Sequence, residues 1–151
     1  CLALTSQLIT RIQRQTALTW LRHWLLIIEA LTVTMHPAKV NTINTIQLIS
    51  DTAAQLEYQS KAQINVANEL VNQWFDDFYH PDSDWYRTPF TEQELSVLSE
   101  FNEFYDERVQ YLPNTLAEML KNYAWKEVVG KAQWVLNMLN WQGVVATYEN
   151  S

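Results

Sequence analysis

Apolar side chains recur every three to four residues along most of this chain, the spacing of helices with one buried face. Leu4, Leu8 and Ile12 predict a short helix over Leu2 to Arg14. A second is expected from about Thr16 to Met35, with Leu18, Leu21, Trp24, Leu25, Ile28, Leu31 and Met35 in its stripe. Trp20, Leu26, Ile27 and Val33 extend that stripe around much of the circumference, so the helix should be covered on both flanks or form a homodimer seam. His36-Pro37 should end it, because a residue before proline is pushed out of the helical region.

From Ala38 to Tyr79 there is neither Gly nor Pro. Val40, Ile43, Ile46, Ile49, Ala53, Leu56, Ile64, Ala67, Val71, Trp74 and Phe78 keep a helical spacing throughout. The pattern predicts one long central helix over about 38–79, roughly 60 Å at 1.5 Å per residue, or two collinear pieces broken near Ser60. Its polar positions are mostly neutral amides, among them Asn41, Gln47, Gln55, Gln59, Asn65 and Asn68. They fit a compositional habit, or a face that packs, since amides lose water at lower cost than ions.

His80 to Phe90, with Pro81 and Pro89, reads as a loop. Thr91-x-x-Glu94 and Thr115-x-x-Glu118 are capping boxes, opening a helix to about Tyr111 and a short one to Lys121. Pro113 and Asn114 separate the two, and a last helix should run from about Tyr123 to Trp141, capped at Gly143. The sum is an all-α fold, a bundle of five to six helices around one long central helix, in a single domain over 1–151. Only 2 Gly and 4 Pro in 151 residues agree with it, since sheets need many turns. Nineteen aromatic residues (7 Trp, 7 Tyr and 5 Phe) supply bulk for the spaces between helices.

Charge changes the picture more than composition does. The net charge is −7, and residues 76–112 alone hold ten acids against two arginines, a balance of −8. Glu92, Glu100, Glu103, Asp106 and Glu107 fall on about a third of one helix's circumference, opposite Val97, Leu98, Phe101, Phe104, Tyr105 and Val109. Glu94 stands apart as the capping residue. The acid face is either a solvated flank or an electronegative patch for a basic partner. Direct nucleic-acid binding is not expected, because no Lys/Arg cluster is present to neutralise phosphates.

Asp76, Asp77, His80, Asp82 and Asp84 are the densest set of potential metal ligands. Asp76 and His80, one helical turn apart, would suit Mn²⁺, Zn²⁺ or Fe²⁺. The plainer expectation is a helix end merging into a hydrated acidic loop, with no metal and no other cofactor. A calcium loop starting at Asp82 fails at Arg87, where glycine is required. No His has a Glu three residues before it, as di-iron bundles need. Glu100-x-x-Glu103 with Asp106 resembles the first acidic pair of helical Mg²⁺-dependent nucleotide pyrophosphatases. The second pair is missing, because Lys121 follows Glu118 and Gly130 follows Glu127 at that spacing. Gly130-Lys131 is no phosphate loop, since Trp125 occupies the first glycine position, and no catalytic residue is assigned.

Trp74, Phe75, Phe78, Tyr79, Trp85, Tyr86 and Phe90 crowd the same acidic region. Most should be core, but Trp85 and Tyr86 join the five helix acids as expected partner-binding residues. The leading expectation is therefore a non-enzymatic interaction protein of the immunity-like, adaptor or regulatory kind. The alternative is a metal-dependent hydrolase using Asp76, Asp77 and His80 with Glu100 or Glu103. No apolar run approaches the ~20 residues that cross a bilayer. A single cysteine, Cys1, fits a cytoplasmic protein, while a lipid-modified cysteine of a bacterial envelope protein would also stand at position 1.

Overall fold

A computed structural model describes residues 32–149. The expected helix over Leu2 to Arg14, most of the one over Thr16 to Met35, and the homodimer seam assigned to it lie outside the described residues. From Thr34 onward the chain forms one compact unit. Its elements are β1 (Thr32–Met35), α1 (Pro37–Ser50), α2 (Thr52–Lys61), α3 (Val66–Asn72), a π-helical segment (Gln73–Phe78), α4 (Asp84–Arg87), α5 (Glu92–Val109), α6 (Leu116–Met119), α7 (Tyr123–Met138) and β2 (Val145–Tyr148). The fold is thus mostly helical, as expected.

The 38–79 run is not one helix. The central element is α1 alone, 14 residues long, which meets α7, the π segment, β2, α2 and α4. It stops at Ser50 because Asp51 is extended (φ −125°, ψ 98°) and caps α2, its carboxylate accepting from the Ala54 amide at 3.1 Å. That one extended residue turns the following helix about its axis. Ala53, Leu56 and Ile64, expected in the core, are exposed, and Gln55 points inward with no accessible surface. Gln55 Nε2 donates to the carbonyls of Leu48 and Ile49, both at 2.9 Å, closing the open end of α1. Its Oε1 accepts from Trp125 Nε1 of α7 at 3.2 Å.

The second break, after Lys61, falls next to the expected position and is also held by amides. Gln59 donates to Ile64 O at 2.9 Å and accepts from the Val66 amide at 3.1 Å. Asn65 caps α3 and reaches Asn114 O at 2.7 Å, while Gln47 ties α1 to Trp141 O and Val144 O. The amide-rich face is accordingly used at Gln47, Gln55, Gln59 and Asn65 to satisfy backbone groups.

The core lies where α7 packs against α1 and α5, with the π segment beside α1. Ile43, Ile46, Leu70, Trp74, Leu98, Phe101, Tyr105, Trp125, Val128 and Val135 are fully buried there. Each such side chain contributes roughly 1.5–3 kcal/mol through burial. Thr91 and Glu94 form the expected reciprocal box at α5; at α6 only the Thr115 half is made. Helix α7 ends three residues earlier than expected, at Met138. Asn140 (φ 56°) takes the left-handed position, Trp141 N bonds Leu136 O at 3.0 Å, and Trp141 and Leu136 are buried together. This is a Schellman ending with asparagine in place of glycine. Gly143 (φ 66°) serves the turn into β2 instead.

Residues 32–35 correct the second expected helix, whose final turn is strand paired with β2. Thr32, Val33 and Thr34 are β-branched and favour an extended chain. Pro37 then opens α1 at its first turn, with His36 Nδ1 accepting from the Ala38 amide at 3.1 Å.

Candidate functional site

The acid- and aromatic-rich region runs from the π segment to the end of α5. The wide π turn closes through Tyr79 N to Trp74 O at 3.2 Å. Trp74 is locked inward: its Nε1 donates to Asn102 Oδ1 at 3.1 Å, Tyr79 stacks on it at 4.6 Å, and Phe101 meets it edge-on at 4.8 Å. Asp76 and Asp77 are left on the exposed side of that turn. His80 is exposed too, with Nε2 2.9 Å from the Asp77 carbonyl, so its ring serves the backbone. Among the described residues no three His, Cys, Asp or Glu converge on a point where an ion could sit. The set of Asp76, Asp77 and His80 with Glu100 or Glu103 is not assembled.

Tyr86, expected at the surface, is 1% exposed and belongs to the core. The Thr42 hydroxyl gives its proton to Ala38 O at 2.8 Å, so the Tyr86 phenol donates to Thr42 Oγ1 across 2.9 Å. Burial pushes the Tyr86 phenol far above its ordinary value, and the Thr42 hydroxyl, which could turn to a phenolate, offsets only part. Its neighbour Trp85 is 59% exposed, with its ring 4.6 Å from that of His36.

The five acids expected on one face of α5 are all exposed. Their partners differ. Glu100 pairs with Lys131 of α7 at 2.5 Å, and Glu107 lies 3.5 Å from Arg108. Glu92, Glu103 and Asp106 enter no ion pair among the described residues. Glu94 is turned inward, accepting from the Thr91 amide at 2.9 Å and meeting Lys39 at 3.0 Å. The Tyr79 phenol connects loop and helix. Burial raises its pKa most, a hydrogen bond to Ser99 and the Arg87 charge lower it, and Asp82 and Glu103 both raise it. One phenol thus feels charges of both signs, Asp82 and Glu103 on one side of the balance and Arg87 on the other.

Two largely covered cations, Arg108 and Lys131, each meet an aromatic ring and an acid at once. Arg108 Nε bonds Glu127 Oε2 at 2.8 Å, and its guanidinium lies 3.4 Å from the centre of the Phe104 ring. Lys131 sits 3.7 Å from the Trp134 ring while holding Glu100. Beside Arg108 opens a groove of about 640 Å³, lined by Glu107, Arg108, Gln110 and Tyr111 of the α5 end and by Asn122, Tyr123, Ala124 and Glu127 of α7. Tyr111 and Tyr123, on either side of the break at Pro113, could have been singled out as aromatics flanking a helix breaker; the cross-helix Arg108–Glu127 pair could not.

Comparison with family models, with curated proteins and with solved structures returned no match to this chain. Among the described residues no helix is long and apolar enough to cross a membrane.

Proposed function

We propose that the chain is a non-enzymatic protein-interaction factor, of the adaptor, immunity-like or regulatory kind. It meets a basic surface on its partner with the acid-lined flank of α5 and the loop before it. The observation that supports this reading is the exposure of all five α5 acids together with Asp76, Asp77 and Asp82 before them, three of the α5 acids having no ion-pair partner among the described residues. Trp85, more than half exposed, lies in the short helix between them and offers an aromatic anchor.

Affinity capture from the source cell with mass spectrometry supplies candidate partners, and association kinetics then test the surface. Glu103→Lys with Asp106→Lys is the informative pair, because neither residue is ion-paired among the described residues, whereas Glu100→Lys would also set two lysines together at Lys131. The double variant should slow association at low salt and lose that effect as salt rises, since exposed charges steer over a Debye length of about 8–10 Å. Folding stability should change by no more than about 1 kcal/mol. An unchanged association rate at both salts would leave the face as a solvated flank.

A further inference from the structure

The groove between the end of α5 and the start of α7 combines three features that a solvated flank does not need. Its volume, about 640 Å³, is within the roughly 300–1,000 Å³ typical of ligand sites. Two of its lining side chains, Tyr111 and Tyr123, are 64% and 77% exposed, among the most exposed aromatics described. Its charges do not cancel. Arg108 is neutralised by Glu127 at 2.8 Å, and Glu107, 3.5 Å away with a side chain 76% exposed, is a carboxylate in excess.

Aromatic faces beside a surplus carboxylate favour a cation. The protein already treats its own cations this way: Arg108 stacks on Phe104 while holding Glu127, and Lys131 lies over Trp134 while holding Glu100. A planar guanidinium suits such a place better than an ammonium, because it stacks on a ring and forks onto a carboxylate at once.

We propose that this groove receives an arginine side chain from a basic segment of the partner, with Tyr111 and Tyr123 as the aromatic walls and Glu107 as the counter-charge. The occupant rests on the reading above, that the partner is basic. The groove opens at the end of the helix that carries the five exposed acids, so a chain drawn to α5 by long-range attraction finds a short-range socket there. The acid face would then govern encounter, and the groove the lifetime of the complex.

The test is an NMR titration of the full chain with the tripeptide Ac-Gly-Arg-Gly-NH₂, its citrulline analogue and inorganic phosphate. Saturable shifts at Tyr111, Tyr123 and Glu107 are expected with the arginine peptide and absent with citrulline. Tyr111→Ala and Tyr123→Ala should each weaken binding roughly fivefold, and Tyr123→Phe should retain it, since the ring face rather than the hydroxyl is used. Far-UV circular dichroism checks that both alanine variants remain folded. Equal binding of citrulline, preferential binding of phosphate through Arg108, or indifference to both alanine variants would overturn the socket. If the tripeptide fails while Glu103→Lys with Asp106→Lys still slows partner association, the groove proposal falls and the acidic surface stands. If the tripeptide binds at the two tyrosines while that double variant changes nothing, the acidic surface falls and the groove stands.

Discussion

Gln55 shows how much one side chain can decide. Both protons of its amide are given to the last carbonyls of α1, and its oxygen takes the indole proton of Trp125. Gln55→Met keeps length and flexibility but leaves the Ile49 carbonyl and the Trp125 indole N–H buried without partners, while the Leu48 carbonyl keeps the Asp51 amide. Each such group costs about 1–3 kcal/mol, reduced where the surroundings relax, so the expected loss is about 3 kcal/mol by urea unfolding. Trp125→Phe in the same background should then cost less than it does alone, because its bond is already gone. Additive losses would show that the two side chains act independently. None of this was legible along the chain. Gln55 looked like one more amide on a polar face, and its inward turn follows from an extended Asp51 four residues earlier. Glu94 was legible, because a capping box is a local arrangement with a fixed spacing.

At the scale of elements, spacing and caps located most helices and failed at their joints. The apolar positions of 38–79 keep nearly the same interval across the break at Asp51, so periodicity alone carried the helix through. Ser50-Asp51-Thr52 held the missing signal, since aspartate caps a helix well and disrupts the interior of one. The two strands were missed differently. Thr32–Met35 follows an apolar run and Val145–Tyr148 is short, and neither forms a sheet without the other. Asn140 makes the end of α7 testable. Glycine adopts its left-handed backbone without strain, so Asn140→Gly should hold or raise stability by a few tenths of a kcal/mol, and Asn140→Ala should lower it by about 1 kcal/mol. Equal thermal midpoints for the two variants would contradict the Schellman ending.

Across the whole molecule, burial and charge set the response to pH. Burial raises the pKa of Tyr79, Tyr86 and Tyr105, so these phenols stay neutral in the fold where an unfolded chain would ionise near pH 10. Above that pH the folded state binds more protons than the unfolded one. Their contribution to stability is thus intact below about pH 10 and lost as the pH climbs further. Absorbance at 295 nm should show part of the seven-tyrosine signal rising only together with loss of helical circular dichroism. Ionisation of all seven with the helices intact would contradict the buried positions. The charge imbalance itself was plain in the sequence. Which of the acids find cations was not, because Lys131 and Glu100 are thirty-one residues apart and meet only through the packing of two helices.

The packing of α7 against α1 also bears on how the protein emerges from the ribosome. Gln47 bonds Trp141 and Val144, and Asn41 bonds Tyr148, across separations of 94, 97 and 107 residues. At roughly 5–20 residues per second, α1 spends several seconds in solution before the helix that covers it has been made. Its apolar face, with Ile43, Ile46 and Ile49, is a natural landing place for a chaperone during that interval. Translation-arrest force profiling should register no folding until α7 has cleared the exit tunnel. A force peak once residues up to about Asn122 have left the tunnel, with α7 still inside it, would mean that the preceding elements close a core without it.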